Sequence, residues 1–156
     1  MRTEVLLRYA NGYRILEMFE DAERELDKIH PEERSADGPL SLRVALFQDS
    51  ECWDEMREAA ALLRDRHPKE VSWWIADAYA TRRCRSIEEA REVLLAGVEN
   101  HPEEPCMQYN LGCYACVLGE RAEAISRVRS AIALNDDYAK MALTDDDLEA
   151  IRDELL

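Results

Sequence analysis

The apolar residues of this chain recur every 34 residues. One column of small or flexible side chains consists of Ala22, Met56, Ala90 and Ala124. Three further columns keep the same register: Leu26, Ala60, Leu94 and Val128; Ile29, Leu63, Gly97 and Ala131; and Ala10, Val44, Ala78 and Gly112. A period in this range is typical of repeated supersecondary units, each too small to bury its own apolar face. The pattern therefore predicts a repeat array, and such arrays are usually binding surfaces.

Within a unit, the spacing of apolar residues predicts two helices. In the first unit, one set follows i, i+3, i+4, i+7 spacing and so shares a helix face: Leu6, Tyr9, Ala10 and Tyr13. A break at residues 17–20 precedes the second stripe, and the pair His30-Pro31 ends it, because proline does not continue a helix. Helix-forming residues dominate the chain and only five Gly and five Pro occur, which predicts an all-α fold.

The fourth unit shows the repeat most clearly. Leu111 and Gly112 lie in its first helix, Gly119 makes the turn, and Ala124 and Ala131 lie in its second helix. Small residues at Gly112 and Ala124 allow the two helices to approach closely. This pattern resembles the tetratricopeptide repeat family, whose units are 34-residue helix-turn-helix pairs. The resemblance implies a helical solenoid in one domain, 1–156, with units at about 3–36, 37–70, 71–104 and 105–138.

Two features depart from the family pattern. Arg43 and Asp77 stand where the family favours leucine, which predicts that the first helices of units two and three are rotated or shifted by one residue. The segment 30–39 holds Pro31 and Pro39. We expect a long loop there, and a short first helix in unit two that begins near Pro39.

The end of the chain predicts a capping helix over 144–156. Thr144 precedes three aspartates, residues 145–147, which combines a hydroxyl cap with acids at the positive end of a helix. Leu148, Ile151 and Leu155 follow on one apolar stripe. Because a repeat array needs a terminal element to cover its last open face, we expect this helix to do so.

The resemblance implies that the first helices of the units line a concave groove, and helical spacing selects the side chains that face it. We predict partner-binding roles for Arg8, Asn11, Tyr79, Arg82, Arg83, Tyr109 and Asn110. The arginines would engage acidic groups through charge-assisted hydrogen bonds. The asparagines would bond the partner's backbone, and the tyrosines would offer flat contact area.

Charge narrows the classes of partner. The net charge of −14 repels nucleic acid and anionic membrane surfaces. No apolar run is long enough to span a bilayer. The predicted groove face carries four arginines against Glu4 and Asp49, a net charge of +2. We therefore expect a protein or peptide partner with acidic groups, and no nucleic acid or membrane.

The five cysteines are odd in number and scattered through helical sequence, which argues against a disulfide framework. We expect a cytoplasmic protein with reduced thiols. Cys106, Cys113 and Cys116 share one helix face, where three thiolates could begin a zinc site with His101 as a distant fourth ligand. Free cysteine is also a common small packing residue. We expect packing, and neither a metal nor a cofactor.

Catalysis is not expected, since no histidine has a nucleophile beside it and no glycine-rich phosphate loop occurs. The sequence favours a non-catalytic protein-interaction module that holds an extended or helical partner segment in the groove. One alternative is a small acidic client-specific chaperone with a more apolar interface. Another is a thiol or zinc protein that uses Cys106, Cys113 and Cys116. The sequence leaves open whether the chain is a monomer or a homo-oligomer.

Overall fold

The computed structural model describes residues 2–155, and this range is helical without a β-strand. The elements in chain order are α1 (Thr3–Ile15), α2 (Phe19–Asp27), α3 (Asp37–Asp49), α4 (Trp53–Arg66), α5 (Val71–Cys84), α6 (Ile87–Val98), α7 (Pro105–Val117), α8 (Arg121–Leu134), α9 (Asp137–Thr144), a 3₁₀ helix (Asp146–Ile151) and α10 (Arg152–Leu155). The prediction of an all-α fold is confirmed. No helix within residues 2–155 is long and apolar enough to cross a membrane.

Successive helices pack in pairs: α1 with α2, α3 with α4, α5 with α6, and α7 with α8. The loops inside the pairs are so short that the second helix of each must turn back against the first. Further contacts of α4 with α5 and of α6 with α7 join neighbouring pairs. His67 Nε2 lies 2.7 Å from Asp37 Oδ2, and His101 Nε2 lies 2.8 Å from the Pro68 carbonyl oxygen. The first contact joins the two outer ends of the α3–α4 pair, and the second ties the end of α6 to the loop between α4 and α5.

Three of the four turns inside the pairs use a left-handed residue. The φ angles are +60° at Glu17, +59° at Glu51 and +81° at Gly119. Glycine adopts this conformation without the steric cost that a side chain brings, so Gly119 makes the turn that its sequence position predicts. The turn between α5 and α6 differs, because the Ser86 hydroxyl accepts a hydrogen bond from the Glu89 amide at 3.1 Å and caps α6.

The repeating columns of the sequence form the core. All sixteen positions are buried: Ala10, Val44, Ala78, Gly112, Ala22, Met56, Ala90, Ala124, Leu26, Ala60, Leu94, Val128, Ile29, Leu63, Gly97 and Ala131. A Cβ added at Gly112 would stand 2.5 Å from Val128 Cγ2, so α7 and α8 touch where the sequence places its smallest residues. The apolar stripes of the pairs therefore meet each other, as the period predicts.

The expected shift of the first helices in units two and three does not occur. Asp77 keeps the packed position and is 2% exposed, because its carboxylate pairs with the Arg64 guanidinium and accepts a hydrogen bond from Thr81 Oγ1 at 3.1 Å. The predicted long loop is present over 28–36, but α3 is not short. It begins at Asp37, since Pro39 falls in its first turn, where backbone N–H groups have no helical partner.

The C-terminal end departs from the predicted capping helix. Thr144 ends α9 and does not cap a helix; the cap is Asp145, whose Oδ1 accepts from the Asp147 amide at 3.0 Å. A 3₁₀ helix and the short α10 replace the single α-helix over 144–156. The apolar stripe is buried as predicted, with Leu148 and Ile151 at 0% and 1% exposure. The 3₁₀ helix packs mainly against α7. It also contacts α5, because Arg82 of α5 donates a hydrogen bond to Asp147.

Candidate partner-binding site

A residue of the predicted binding surface, Arg82, forms a bidentate ion pair within the chain itself. Arg82 of α5 donates from Nη1 to Asp147 Oδ2 at 2.6 Å and from Nη2 to Asp147 Oδ1 at 2.9 Å. The Arg82 guanidinium also lies over the Tyr114 ring, 5.5 Å from its centre. The hydrogen bonds to Asp147 raise the pKa of Arg82. Two parallel charge-assisted bonds fix both position and angle, so Arg82 already holds an acidic ligand.

A second carboxylate docks on α7 beside the first. Tyr109 donates its hydroxyl to Asp145 Oδ2 at 2.8 Å, and the Cys113 Sγ lies 3.6 Å from the same oxygen. The Tyr109 ring packs on Tyr138, with ring centres 4.9 Å apart. Burial, and then the bond to Asp145, raise the pKa of the Tyr109 hydroxyl. Tyr109 is only 3% exposed, so its ring contacts α9 and its hydroxyl binds the chain's own acid.

These carboxylates belong to a short segment, Thr144–Asp147, which we call the acidic turn. The turn is held from both sides. Arg152 donates from Nη2 to the Asp145 carbonyl oxygen at 2.8 Å and from Nε to the Ala142 carbonyl oxygen at 3.3 Å. Leu148 is fully buried directly after the turn. The acidic turn therefore lies against α5 and α7 because apolar residues after it are anchored in the core.

A cation next to the turn has no such partner. Arg83 lies 5.3 Å from the Trp53 ring centre and 5.4 Å from the Tyr79 ring centre, and donates from Nη2 to the Tyr79 hydroxyl at 3.2 Å. Trp53 and Tyr79 meet edge to face at 5.6 Å. Within residues 2–155, no carboxylate oxygen lies within 4.0 Å of the Arg83 guanidinium. Stacking on two rings holds this exposed cation in place without neutralising it.

Two hollows meet at Tyr79. One, of about 630 Å³, is lined by the two arginines of α5 and by the acidic turn: Tyr79, Arg82, Arg83 and residues 144–147. The other, of about 460 Å³, is mostly apolar and is lined by Gln48, Met56, Val71, Ser72, Ile75, Ala76, Tyr79 and Cys106. We call the two together the α5 surface. An apolar hollow beside an unpaired cation suits a segment that carries both an apolar and an acidic side chain.

The remaining predicted site residues lie away from the α5 surface or are already bonded. Arg8 lines a separate hollow of about 410 Å³ between α1 and α2, together with Lys28. Asn11 accepts through Oδ1 from Arg14 Nε at 3.1 Å. Asn110 donates to the Cys106 carbonyl oxygen in its own helix at 2.8 Å. The structure therefore brings Tyr79, Arg82 and Arg83 together. Neither Asn11 nor Asn110 lines the hollows around them.

The charge of the surface also changes from the sequence-based value. Arg14 pairs with Asp49 at 2.5 Å, and Arg82 pairs with Asp147. The expected net charge of +2 counted only the first helices and left out the acidic turn, which brings three carboxylates to the same surface. Among the four predicted groove arginines, Arg83 on the α5 surface and Arg8 in the hollow between α1 and α2 therefore keep a positive charge without a carboxylate within 4.0 Å in residues 2–155.

The three cysteines of α7 do not form a common ligand set. The one group of three potential metal ligands within residues 2–155 is Cys113 with Asp145 and Asp147, whose ligand atoms lie within 4.8 Å of one another. Tyr109 and Arg82 already bond those two carboxylates. A cation there would have to displace both bonds. His101 is bonded to the Pro68 carbonyl oxygen and takes no part.

Sequence reasoning missed Trp53 and the two docked aspartates. Trp53 begins α4, the second helix of its pair, whereas the predicted groove consists of first helices. The capping pattern places the aspartates at the start of a terminal helix and does not indicate that they contact α5 and α7. One signal in the sequence could have indicated this contact: the predicted groove is positively charged, and the segment that follows the fourth unit is negatively charged. The chain matches no family model and no curated protein closely enough to identify a relative.

Proposed function

We propose that the chain is a tetratricopeptide-type repeat protein that acts as a non-catalytic protein-interaction module. The first helices of the pairs begin at residues 3, 37, 71 and 105, and the second helices at 19, 53, 87 and 121. Both series advance by 34 residues, in step with the four buried columns. These regularities support one repeated unit, whose exposed side chains carry the function.

The partner binds on the α5 surface, and one observation carries this proposal. Arg83 is an exposed cation, oriented by Trp53 and Tyr79, without a carboxylate partner among residues 2–155. Arginine and tyrosine on a rigid helix are residues that often dominate binding energy. A carboxylate from a partner would give Arg83 the kind of contact that Arg82 already makes with Asp147.

The apolar hollow supplies most of the binding energy in this proposal. An exposed ion pair at Arg83 is worth only about 0–1 kcal/mol. Complete burial of one leucine-sized side chain in the hollow beside Tyr79 would contribute about 1.5–3 kcal/mol. We infer that the partner segment places an apolar side chain in the hollow and an acidic group at Arg83. The charge then sets orientation and specificity.

The cysteines support a role without covalent chemistry. Burial raises the pKa of the thiols of Cys84, Cys106, Cys113 and Cys116. A raised pKa keeps a thiol protonated at neutral pH, and the thiolate is the reactive form. These side chains therefore fit packing better than nucleophilic or redox chemistry.

The test compares binding by the wild type with two variants of the α5 surface, Arg83→Glu and Tyr79→Ala. Proteins captured from cell extract would be identified, purified and titrated by calorimetry. We expect Tyr79→Ala to weaken binding by about tenfold or more, because it removes the side chain where the two hollows meet, and Arg83→Glu by about fivefold, because it removes an ion pair of about 1 kcal/mol. Arg24→Glu is the matched control, because it reverses one exposed arginine on α2. Equal affinity of wild type and Arg83→Glu for every captured protein would contradict the proposal.

The apolar hollow also keeps the chaperone alternative open as a second candidate. A client-specific chaperone would hold an apolar client segment chiefly through the hollow of Met56, Ile75 and Tyr79. Its affinity would then change little with salt, whereas an ion pair at Arg83 weakens as salt rises. Titration of a captured partner at two salt concentrations separates the two functions.

A further inference from the structure

We infer that the acidic turn is an internal ligand of the Arg82 end of the α5 surface, and that the partner is an acidic segment of Asp-x-Asp type that displaces it. The inference rests on the proposed function, since it names the partner class and the control of that same surface. Asp145 and Asp147 stand in for the two carboxylates of the partner.

The carboxylates of the turn make the contacts that an acidic partner would make at Arg82 and Tyr109. The two half-buried carboxylates of the turn point into the protein, one to Arg82 in two parallel bonds and the other to Tyr109. Its two other side chains, Thr144 and Asp146, are exposed. Alternate side chains thus contact the surface at the junction where α9 ends at Thr144 and the 3₁₀ helix begins at Asp146. The contacts are polar, which predicts an acidic partner.

The turn can leave while the rest of the C-terminal segment stays in place. Ala142 before the turn is 1% exposed, and Leu148 and Ile151 after it are 0% and 1% exposed. These apolar anchors hold α9 and the 3₁₀ helix on the core. Asp145 and Asp147 contribute hydrogen bonds and little apolar burial. Because side-chain bonds alone hold Asp145 and Asp147 to α7 and α5, these two carboxylates can leave Tyr109 and Arg82 while Arg152 still holds the Asp145 backbone.

Tethering gives the turn an advantage over any free peptide. Because the anchors keep Asp145 and Asp147 beside Arg82 and Tyr109, their effective concentration is on the order of millimolar. A free acidic peptide competes with that concentration and binds wild type weakly. Removing the internal carboxylates would leave Arg82 open and raise the affinity for the same peptide.

Cys113 reports whether the turn is closed. Its Sγ lies 3.6 Å from Asp145 Oδ2, and the residue is 3% exposed. Opening of the turn would expose the thiol to an alkylating reagent, and a peptide bound in place of the turn would cover it again. The alkylation rate of Cys113, followed by mass spectrometry, thus measures the position of the turn without any partner.

The experiment uses the full chain and a labelled peptide, LTDDDLEA, which has the sequence of residues 143–150. Fluorescence anisotropy compares wild type with the double variant Asp145→Asn/Asp147→Asn. The control peptide is LTNDNLEA, which lacks the two carboxylates. We expect the double variant to bind LTDDDLEA at least about tenfold more tightly than wild type, a difference of ~1.4 kcal/mol. Added Arg82→Gln should return the affinity to the wild-type level or below.

Alkylation gives the second readout. We expect Cys113 to react several-fold faster in the double variant than in wild type, and saturating LTDDDLEA to slow it again. Circular dichroism and a melting curve verify that the variant is folded. If the double variant does not fold, Asp147→Asn alone opens only the Arg82 contact and is tested in the same way. Equal peptide affinity of wild type and variant, or affinity that does not depend on Arg82, overturns the inference.

Failure of the inference is distinguishable from failure of the proposed function. A partner that requires Arg83 and Tyr79 but binds wild type and Asp145→Asn/Asp147→Asn equally leaves the proposed function standing and removes the internal ligand. Loss of the Arg83 dependence, with peptide binding still controlled by Arg82, removes the partner site proposed at Arg83 and leaves the internal ligand of Arg82 standing.

Discussion

The contact between α7 and α8 can be tested by adding a single methyl group. Gly112→Ala would place a Cβ 2.5 Å from Val128 Cγ2, 3.2 Å from the Val128 backbone nitrogen and 3.3 Å from the Ala124 carbonyl oxygen. Non-bonded carbon atoms pack at about 3.5–4.0 Å, so the new methyl overlaps its neighbour by about 1 Å. Val128 is fully buried, and its branched side chain has few other rotamers.

The expected change combines two opposite effects. Overpacking costs about 1–3 kcal/mol, and an overlap of about 1 Å with a buried, branched side chain falls in the upper half of that range, about 2–3 kcal/mol. Replacing a helical glycine by alanine returns about 1 kcal/mol through helix propensity. We expect a net loss of about 1–2 kcal/mol, which for a chain of this size lowers the melting temperature by about 2–8 °C. The measurement is thermal and urea unfolding followed by circular dichroism.

Gly12→Ala is the matched control, because Gly12 lies in α1 and an added Cβ there has no atom within 4 Å. The same substitution should therefore stabilise the protein by about 0.5–1 kcal/mol. In Gly112→Ala, a further change of Val128→Ala removes the overlapping methyl and should cost less than Val128→Ala costs in the wild type. A Gly112→Ala protein that melts at or above the wild-type temperature would refute the close packing of α7 on α8.

Three further predictions concern buried polar groups. Arg64→Met should cost about 3–5 kcal/mol in urea unfolding, since it leaves the Asp77 carboxylate buried without its partner, and added Asp77→Leu should recover much of the loss. Burial raises the pKa of Tyr114 and Tyr138 from 10.0 to about 12, so the folded state keeps protons that the unfolded chain releases. Stability should be complete below pH 10 and fall as pH rises towards 12, with tyrosinate absorbance appearing in the same range. Burial also raises the pKa of the Cys113 thiol. In the folded protein, alkylation of Cys113 should therefore be slower than alkylation of the partly buried thiols, and in urea all the thiols should react at the same rate. Fast alkylation of Cys113 in the folded protein would contradict its burial.

The helices and the buried face of each pair were predictable from the sequence alone. Local rules decide them, because apolar spacing selects the face that packs and glycine or proline marks the ends. The columns through Ala22 and Leu26 are buried in every pair, and Gly119 makes its turn with φ of +81°. Asp77 was the instructive exception: its charge argued for a shifted helix, while Arg64 from the preceding helix allowed it to remain buried.

The candidate site depended on contacts between residues far apart in the chain. Arg82 and Asp147 are separated by 65 residues, and helical spacing has no information about a pair of that kind. The exposed cation of the α5 surface, Arg83, is oriented by Trp53 from another helix. The sequence determined which side chains leave water, because burying the apolar face of each helix is favourable wherever its partner lies. Only the tertiary structure decided which charges are neutralised, because ion pairing requires two groups to meet at hydrogen-bond distance.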